Sequence, residues 1–133
     1  MRKEHAEHNE KLCDFLLSNG NFNDWVVTTA FYSAIHFVRY KIFPLSKYDP
    51  QTNRQETYNN FEHYLNRFSE ANKNKKHGEL LKLVDEKIPI INGHYRWLFD
   101  TCHTSRYKDY RVEKQKAKRA QEYLKHIKNQ CLI

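Results

Sequence analysis

The sequence predicts an all-α protein, an up-and-down bundle of four to five helices that forms a single domain over residues 1–133. Apolar residues recur at spacings of three and four over long stretches, as they do along the buried face of a helix. Residues that break helices are scarce, because the 133 residues include three glycines and three prolines. The stretches between the periodic segments are short, which favours antiparallel packing of neighbouring helices.

Two helices are predicted in the first third of the chain. The first covers about residues 3–18 and ends at Asn19-Gly20, a pair that favours a helix end. Its apolar stripe includes Leu12, Phe15 and Leu16. The second covers about residues 23–43 and stops before Pro44. Because its apolar side chains cover more than half of its circumference, we expect it to be the most buried helix.

The middle of the chain is predicted as a loop, a helix, a polar connection and a short helical segment. The loop covers residues 45–53, because one proline precedes it and another lies within it. The third helix covers about residues 52–69, where apolar residues recur at helical spacing. These residues are Tyr58, Phe61, Leu65 and Phe68. Residues 71–78 are polar and predict a surface connection, and residues 79–87 predict a short helical segment.

Two amphipathic helices are predicted in the last third of the chain. The fourth begins near Pro89 or Gly93. Its apolar seam consists of Ile91, Tyr95, Leu98 and Cys102. The fifth covers about residues 112–132 and combines a narrow apolar stripe with an otherwise charged surface. That stripe consists of Ala117, Ala120, Leu124, Ile127 and Cys131.

Composition excludes several classes of protein. No run of eighteen apolar residues exists, so we expect no membrane-spanning segment. The first residues are charged rather than apolar, so we expect no secretory signal and a cytoplasmic location. Three widely spaced cysteines, Cys13, Cys102 and Cys131, favour reduced thiols. The three glycines stand alone, so no phosphate-binding loop and no cofactor are predicted.

Positive charge is concentrated in the last quarter of the chain. Residues 103–133 contain nine lysines and arginines against three acidic residues, and the whole chain carries a formal net charge of +7. A basic region of this kind attracts RNA or another polyanion. Lys114, Lys118 and Arg119 are its candidate RNA contacts. The alternative interpretation is a solvated helix face that binds no ligand.

Three histidines are weighed as ligand-binding or metal-binding groups. His5 and His8 stand at i and i+3, but no further ligand motif completes a metal shell, so no metal is predicted. His36 lies on the most apolar helix. It is either a core histidine with a satisfied hydrogen bond or a polar group that faces a binding groove.

Arg96 and His103 form a candidate catalytic pair. Seven residues are almost two helical turns, so both side chains project from the same side of the fourth helix. A guanidinium can bind a phosphodiester and stabilise charge in its transition state. An imidazole can transfer the proton of a ribose 2′-hydroxyl or of the leaving oxygen. The alternative is a structural pairing in which Asp100 bridges to either residue.

A further segment resembles a known family. The sequence from Asp24 to His36, Asp-Trp-Val-Val-Thr-Thr-Ala-Phe-Tyr-Ser-Ala-Ile-His, resembles the second-helix signature of HEPN domains. The preceding segment His5-Ala6-Glu7-His8-Asn9 continues the likeness, and so do later residues. Those later residues, Tyr95, Leu98 and Ser105-Arg106-Tyr107, resemble the closing helix of the family. The matched pieces span about residues 3–110.

The resemblance implies a helical bundle that dimerises and has one of two functions. Some HEPN domains are metal-independent ribonucleases of toxin or defence systems, with an Arg and a His separated by four to six residues, a spacing that Arg96 and His103 fit. Arg96 would then clamp phosphate and His103 would act as general acid and base. Other members are non-catalytic modules that bind nucleic acid, a nucleotide or a nucleotidyltransferase-type partner. Arg54, after the second helix, and Arg106 are further binding candidates under this resemblance.

The first hypothesis is therefore a homodimeric, metal-independent endoribonuclease. The second is a non-catalytic binding module, and the third is a structural assembly subunit. The partners expected are RNA or another polyanion, a second copy of the chain, and an antitoxin or nucleotidyltransferase.

Overall fold

The computed structural model describes residues 2–68 and 76–133, and this part of the chain is predominantly helical. The elements follow in the order α1 (Arg2–Asn19), α2 (Asn23–Ile42), β1 (Leu45–Asp49), β2 (Arg54–Tyr58), α3 (Phe61–Phe68), α4 (Lys76–Lys87), α5 (Asn92–Tyr107) and α6 (Lys114–Cys131). A 3-10 turn over Pro89–Ile91 joins α4 to α5. The prediction of a mainly helical chain is confirmed for the described residues, and the small sheet is an addition to it.

Helix α2 forms the centre of the fold. It packs against α1, α4, α5 and α6. Fourteen of its twenty residues are buried, which confirms that it is the most buried helix. The first residue after it with an extended backbone is Phe43, and the Phe43–Pro44 peptide bond is cis.

Helices α5 and α6 bury the seams that their spacing predicts. Ile91, which ends the 3-10 turn, and Tyr95, Leu98 and Cys102 of α5 are all buried. All five residues of the predicted α6 stripe are buried as well. Because these stripes face α2, the remaining faces of α5 and α6 are left to solvent and carry the polar residues.

Helix α1 buries only part of the predicted stripe. Leu16 packs partly buried against the core, whereas Leu12 and Phe15 are 42% and 64% exposed. The fully inward residues are Ala6, Glu10 and Cys13. Ala6 and Ser33 are small, so α1 and α2 can approach each other closely. As a result the Ser33 hydroxyl donates a hydrogen bond of 2.7 Å to the carbonyl oxygen of Ala6. Glu10 is buried because Lys125 and Lys128 of α6 bind its carboxylate at 2.5 and 3.0 Å.

Residues 45–58 form a β-hairpin, so the predicted loop and the predicted start of the third helix are both wrong. Strands β1 and β2 are antiparallel, with Leu45 opposite Tyr58 and Asp49 opposite Arg54. Helix α3 begins only at Phe61, because Asn60 Oδ1 accepts the backbone N–H of His63 at 2.8 Å and so caps the helix. Tyr58 is therefore the last residue of β2 and does not belong to α3.

Asp49 ties the hairpin to α3. Its side chain is buried and accepts hydrogen bonds from Arg67 Nε at 2.5 Å and from the Tyr58 hydroxyl at 3.3 Å. A second Arg67 nitrogen, Nη2, also binds it. These bonds to Arg67 are the main cause that lowers the pKa of Asp49 to about 2.

The predicted polar connection over residues 71–78 falls partly outside the described residues. Positions 71–75 are outside the described residues, whereas positions 76–78 belong to the first turn of α4. The short helical segment predicted over residues 79–87 is part of the same helix.

Two expectations from composition concern cysteines and membranes. Cys13, Cys102 and Cys131 are free and buried, and burial raises the pKa of the Cys13 and Cys131 thiols to about 12. Within residues 2–68 and 76–133, no helix is both long and apolar enough to cross a membrane.

Candidate nucleic-acid interface

The end of α5, the segment after it and the first half of α6 each expose basic side chains, and the first two also expose tyrosines. Ala117 and Ala120 point into the core, so Lys114, Lys118 and Arg119 stand on the solvent side of α6. We call this region the basic–aromatic surface. Its members are Arg106, Tyr107, Lys108, Tyr110, Lys114, Lys116, Lys118 and Arg119, and all are exposed.

Most positive charge of this region is not neutralised within the fold. Three of the nine basic residues at positions 103–133 bind acids: Arg111 with Asp109, and Lys125 and Lys128 with Glu10. The other six make no ion pair with any residue that the structure describes. All six belong to the basic–aromatic surface, and the exposed acids Glu113 and Glu122 offset only part of their charge. The surface therefore carries a local positive surplus.

The aromatic side chains of this surface are unusually open to solvent. Tyr107 and Tyr110 are 68% and 71% exposed. The Arg106 guanidinium carbon lies 5.5 Å from the centroid of the Tyr107 ring. Arg119 lies 5.9 Å from the ring of Trp97, which is half-buried between α5 and α6. Cationic groups next to accessible rings are the features with which proteins bind single-stranded nucleic acids.

Arg106 is held in place by α2. Its Nη1 donates a hydrogen bond of 2.7 Å to the hydroxyl of Tyr32. This bond uses one of the five N–H donors of the guanidinium, so the others remain available for phosphate oxygens. Tyr32 and Arg106 belong to two of the segments on which the resemblance to HEPN domains is based, and that resemblance stays a prediction.

Arg96 and His103 are both exposed on α5. The Arg96 Nη2 binds Asp85 of α4 at 3.1 Å, so the expected alternative of a bridge to Asp100 is not what the structure shows for this arginine. His103 lies with its ring centroid 5.0 Å from that of Tyr107, at the edge of the basic–aromatic surface. Seven residues of helix separate the two along the axis by about 10 Å.

His36 lies away from solvent, as the core alternative predicts. Its ring stacks on that of His5 with centroids 3.7 Å apart, and its Nδ1 accepts a hydrogen bond of 3.2 Å from Arg2 Nη1. Burial, together with the charges of nearby groups, lowers the pKa of His36 to about 4. The imidazole is therefore neutral at physiological pH.

Arg54 stands apart from the helical residues. Its side chain is 72% exposed on β2 and binds Glu56 at 2.6 Å. Strand β2 packs mainly against β1 and α3, so Arg54 does not join the basic–aromatic surface. Of the predicted binding residues, Arg106, Lys114, Lys118 and Arg119 are exposed on α5 and α6, with Arg106 beside Tyr32 and Arg119 beside Trp97.

Within the described ranges, 2–68 and 76–133, no group of three or more His, Cys, Asp or Glu side chains is arranged to hold a metal ion. The aromatic partners Trp97, Tyr107 and Tyr110 were not among the residues predicted from the sequence. A signal for Tyr107 and Tyr110 was present in the mixture of basic and aromatic residues from Arg106 to Arg111, whereas Trp97 lies outside that segment. Comparison with family models, curated proteins and solved structures found no match to this chain.

Proposed function

We propose that this chain is a HEPN-like domain that binds single-stranded RNA through its basic–aromatic surface. The observation that carries the proposal is the set of six basic side chains that make no ion pair with the described residues, in a part of the chain that also exposes the rings of Tyr107 and Tyr110. Uncompensated cations attract phosphates and release counterions when they bind. Exposed rings such as those of Tyr107 and Tyr110 stack on unpaired bases.

A single strand is favoured over a duplex because the surface offers stacking groups. Bases in a duplex are already stacked and leave no face for Tyr107 or Tyr110. The surface also includes the loop between α5 and α6, residues 108–113, which gives it an irregular outline unlike that of a groove-reading helix.

Titration of a fluorescein-labelled single-stranded RNA, followed by anisotropy, tests the proposal. We expect saturable binding that weakens steeply between about 50 and 200 mM salt, because counterion release contributes much of the free energy. A duplex of the same length is expected to bind more weakly. Absence of binding at low salt, or binding that is insensitive to salt, would contradict the proposal.

Metal-independent cleavage of the bound RNA is a second candidate function. The observation in its favour is that His103 lies exposed at the edge of this surface, one helical turn from Arg106 and Tyr107. His103 would accept the proton of a ribose 2′-hydroxyl, whose oxygen attacks the adjacent phosphorus. The bond to the 5′-oxygen breaks, leaving a 2′,3′-cyclic phosphate and a 5′-hydroxyl. The Arg96 guanidinium, once released from Asp85, would stabilise the negative charge on the phosphoryl oxygens. In the homodimer that the resemblance implies, a second copy would supply the general acid.

Incubation of the protein with RNA in EDTA tests this second candidate. We expect cleavage by the wild type and a loss of about 100-fold or more in His103→Ala, since a general acid–base group contributes that much. His63→Ala is the matched control, because His63 is an exposed histidine of α3 remote in sequence from the surface. Equal cleavage by both variants would move the site elsewhere. Binding without cleavage would leave the first proposal standing alone.

A further inference from the structure

A second group of charged side chains lies where the start of α1, the second half of α2 and the first turn of α3 meet. We call it the Arg2–Arg39 cluster, and it contains Arg2, His5, His36, Arg39 and Glu62. Arg2 Nη2 binds Glu62 Oε1 at 3.1 Å, and Arg39 Nη2 binds the same oxygen. Two guanidinium groups thus share one carboxylate.

Arg39 is unusual because its charge is held inside the fold. The residue is 7% exposed, and its Nε lies buried without a hydrogen-bond partner among the described residues. Its guanidinium carbon lies 5.2 Å from the centroid of the Phe61 ring, which cannot accept the remaining N–H donors in the way that an oxygen can. A buried guanidinium with an unused N–H donor is a group for which an anionic ligand would be the natural partner.

The cluster opens to solvent through two adjoining depressions. Both are lined by Arg2 and Asn60. His5, His8 and Glu4 line the first, and Arg39, Tyr40 and Asn59 line the second together with the rings of Phe43 and Phe61. A small ligand in the second depression would therefore meet two guanidinium groups, two amides and the half-exposed ring of Tyr40.

We propose that the Arg2–Arg39 cluster binds a phosphomonoester dianion. The charge of about −2 on such a group matches two guanidinium groups better than the single carboxylate of Glu62 does. The ligand oxygens would bind Arg2 and Arg39, and Glu62, which is half-exposed, would move aside. In a nucleotide, the base that ribose links to this phosphate would stack on Tyr40. Asn59 and Asn60, which line the same depression, would offer their amides to it.

Two kinds of ligand carry a phosphomonoester dianion, a free nucleotide and the phosphorylated end of an RNA. Binding of a mononucleotide to the Arg2–Arg39 cluster does not depend on the basic–aromatic surface, because a mononucleotide has no chain of phosphates to bind there. Failure of RNA binding at that surface and failure of this proposal are therefore separate results.

Isothermal titration of the protein with AMP, with adenosine as the uncharged control, tests the proposal. We expect AMP to bind and adenosine to bind at least about tenfold more weakly, because charge-assisted bonds to phosphate are lost. Equal binding of AMP and adenosine, or no binding of either AMP or a 5′-phosphorylated trinucleotide, would overturn the proposal. A trinucleotide with and without a 5′-phosphate then separates the two sources. Binding of its phosphorylated form assigns the site to RNA ends, and binding of AMP alone assigns it to free nucleotides.

Matched variants locate the site. Arg2→Gln should weaken AMP binding about tenfold, whereas Lys3→Gln, the same loss of charge on an exposed neighbour, should change it less than about twofold. Glu62→Gln should strengthen AMP binding, because the competing carboxylate is removed. Arg2 is partly exposed, so its loss leaves the core intact. Equal affinities in Arg2→Gln and Lys3→Gln, or weaker binding in Glu62→Gln, would overturn the assignment.

Discussion

The double substitution Lys114→Gln/Lys118→Gln is expected to weaken the binding of single-stranded RNA about tenfold at about 0.1 M salt. Both lysines lie on one exposed face of α6, one turn apart, and neither forms an ion pair with the described residues. Their charges are therefore free to contact consecutive phosphates. Fluorescence anisotropy of a labelled RNA measures the change.

The matched control is Lys11→Gln/Lys87→Gln. These lysines are also exposed and lie on α1 and α4, so the control changes the net charge equally at other places. We expect it to alter the affinity less than about threefold, because only long-range attraction is reduced. Equal losses in the two double variants would show that net charge alone, not the basic–aromatic surface, determines binding.

Phe37→Ala is expected to lower the free energy of unfolding by about 3–5 kcal/mol. Phe37 is fully buried on α2, the helix against which four other helices pack. Removing its ring loses the transfer free energy of the side chain and leaves a cavity that close-packed helices fill only in part. Urea unfolding followed by circular dichroism measures the difference.

Phe15→Ala makes the same chemical change on a residue that is 64% exposed. We expect it to cost less than about 1 kcal/mol, since little apolar surface leaves water at this position. Should Phe37→Ala fail to fold, Phe37→Leu retains most of the volume and is expected to be destabilised by about 1 kcal/mol. Similar costs for Phe15→Ala and Phe37→Ala would contradict the placement of α2 at the centre.

The helices whose apolar residues form a continuous seam were predictable from sequence. α2, α5 and α6 bury the predicted residues because hydrophobic burial alone determines which face turns inward. α1 was predicted in extent but only partly in orientation. Its inward face is set by an ion pair of Glu10 with α6 and by close contact through Ala6, which an apolar pattern does not record.

The hairpin was missed for a related reason. Tyr58 continues the helical spacing of Phe61, Leu65 and Phe68, so the pattern assigned it to the helix. The turn depends instead on Asn53, which adopts φ = 57°, and on Asp49, whose partner Arg67 lies eighteen positions away. The spacing of apolar residues along one segment does not predict contacts between residues this far apart in the sequence.

The sequence predicted that the candidate site is positively charged, but it did not predict which basic residues are free of ion pairs within the described residues. The basic residues of α6 stood out by count, yet only the structure separates Lys114 and Lys118 from Lys125 and Lys128, which are paired with Glu10. The Arg2–Arg39 cluster was not predictable at all. Its members are spread over sixty residues, and only the packing of α1, α2 and α3 brings them together.

The dependence of RNA affinity on salt, measured side by side for the wild type and Lys114→Gln/Lys118→Gln, tests the central claim most directly. Each lysine that contacts a phosphate contributes about 0.7 to the slope of log affinity against log salt for a single strand. The double variant is therefore expected to show a slope shallower by about 1.4. Equal slopes for the two proteins would show that these lysines contact no phosphate and that RNA does not bind at the basic–aromatic surface.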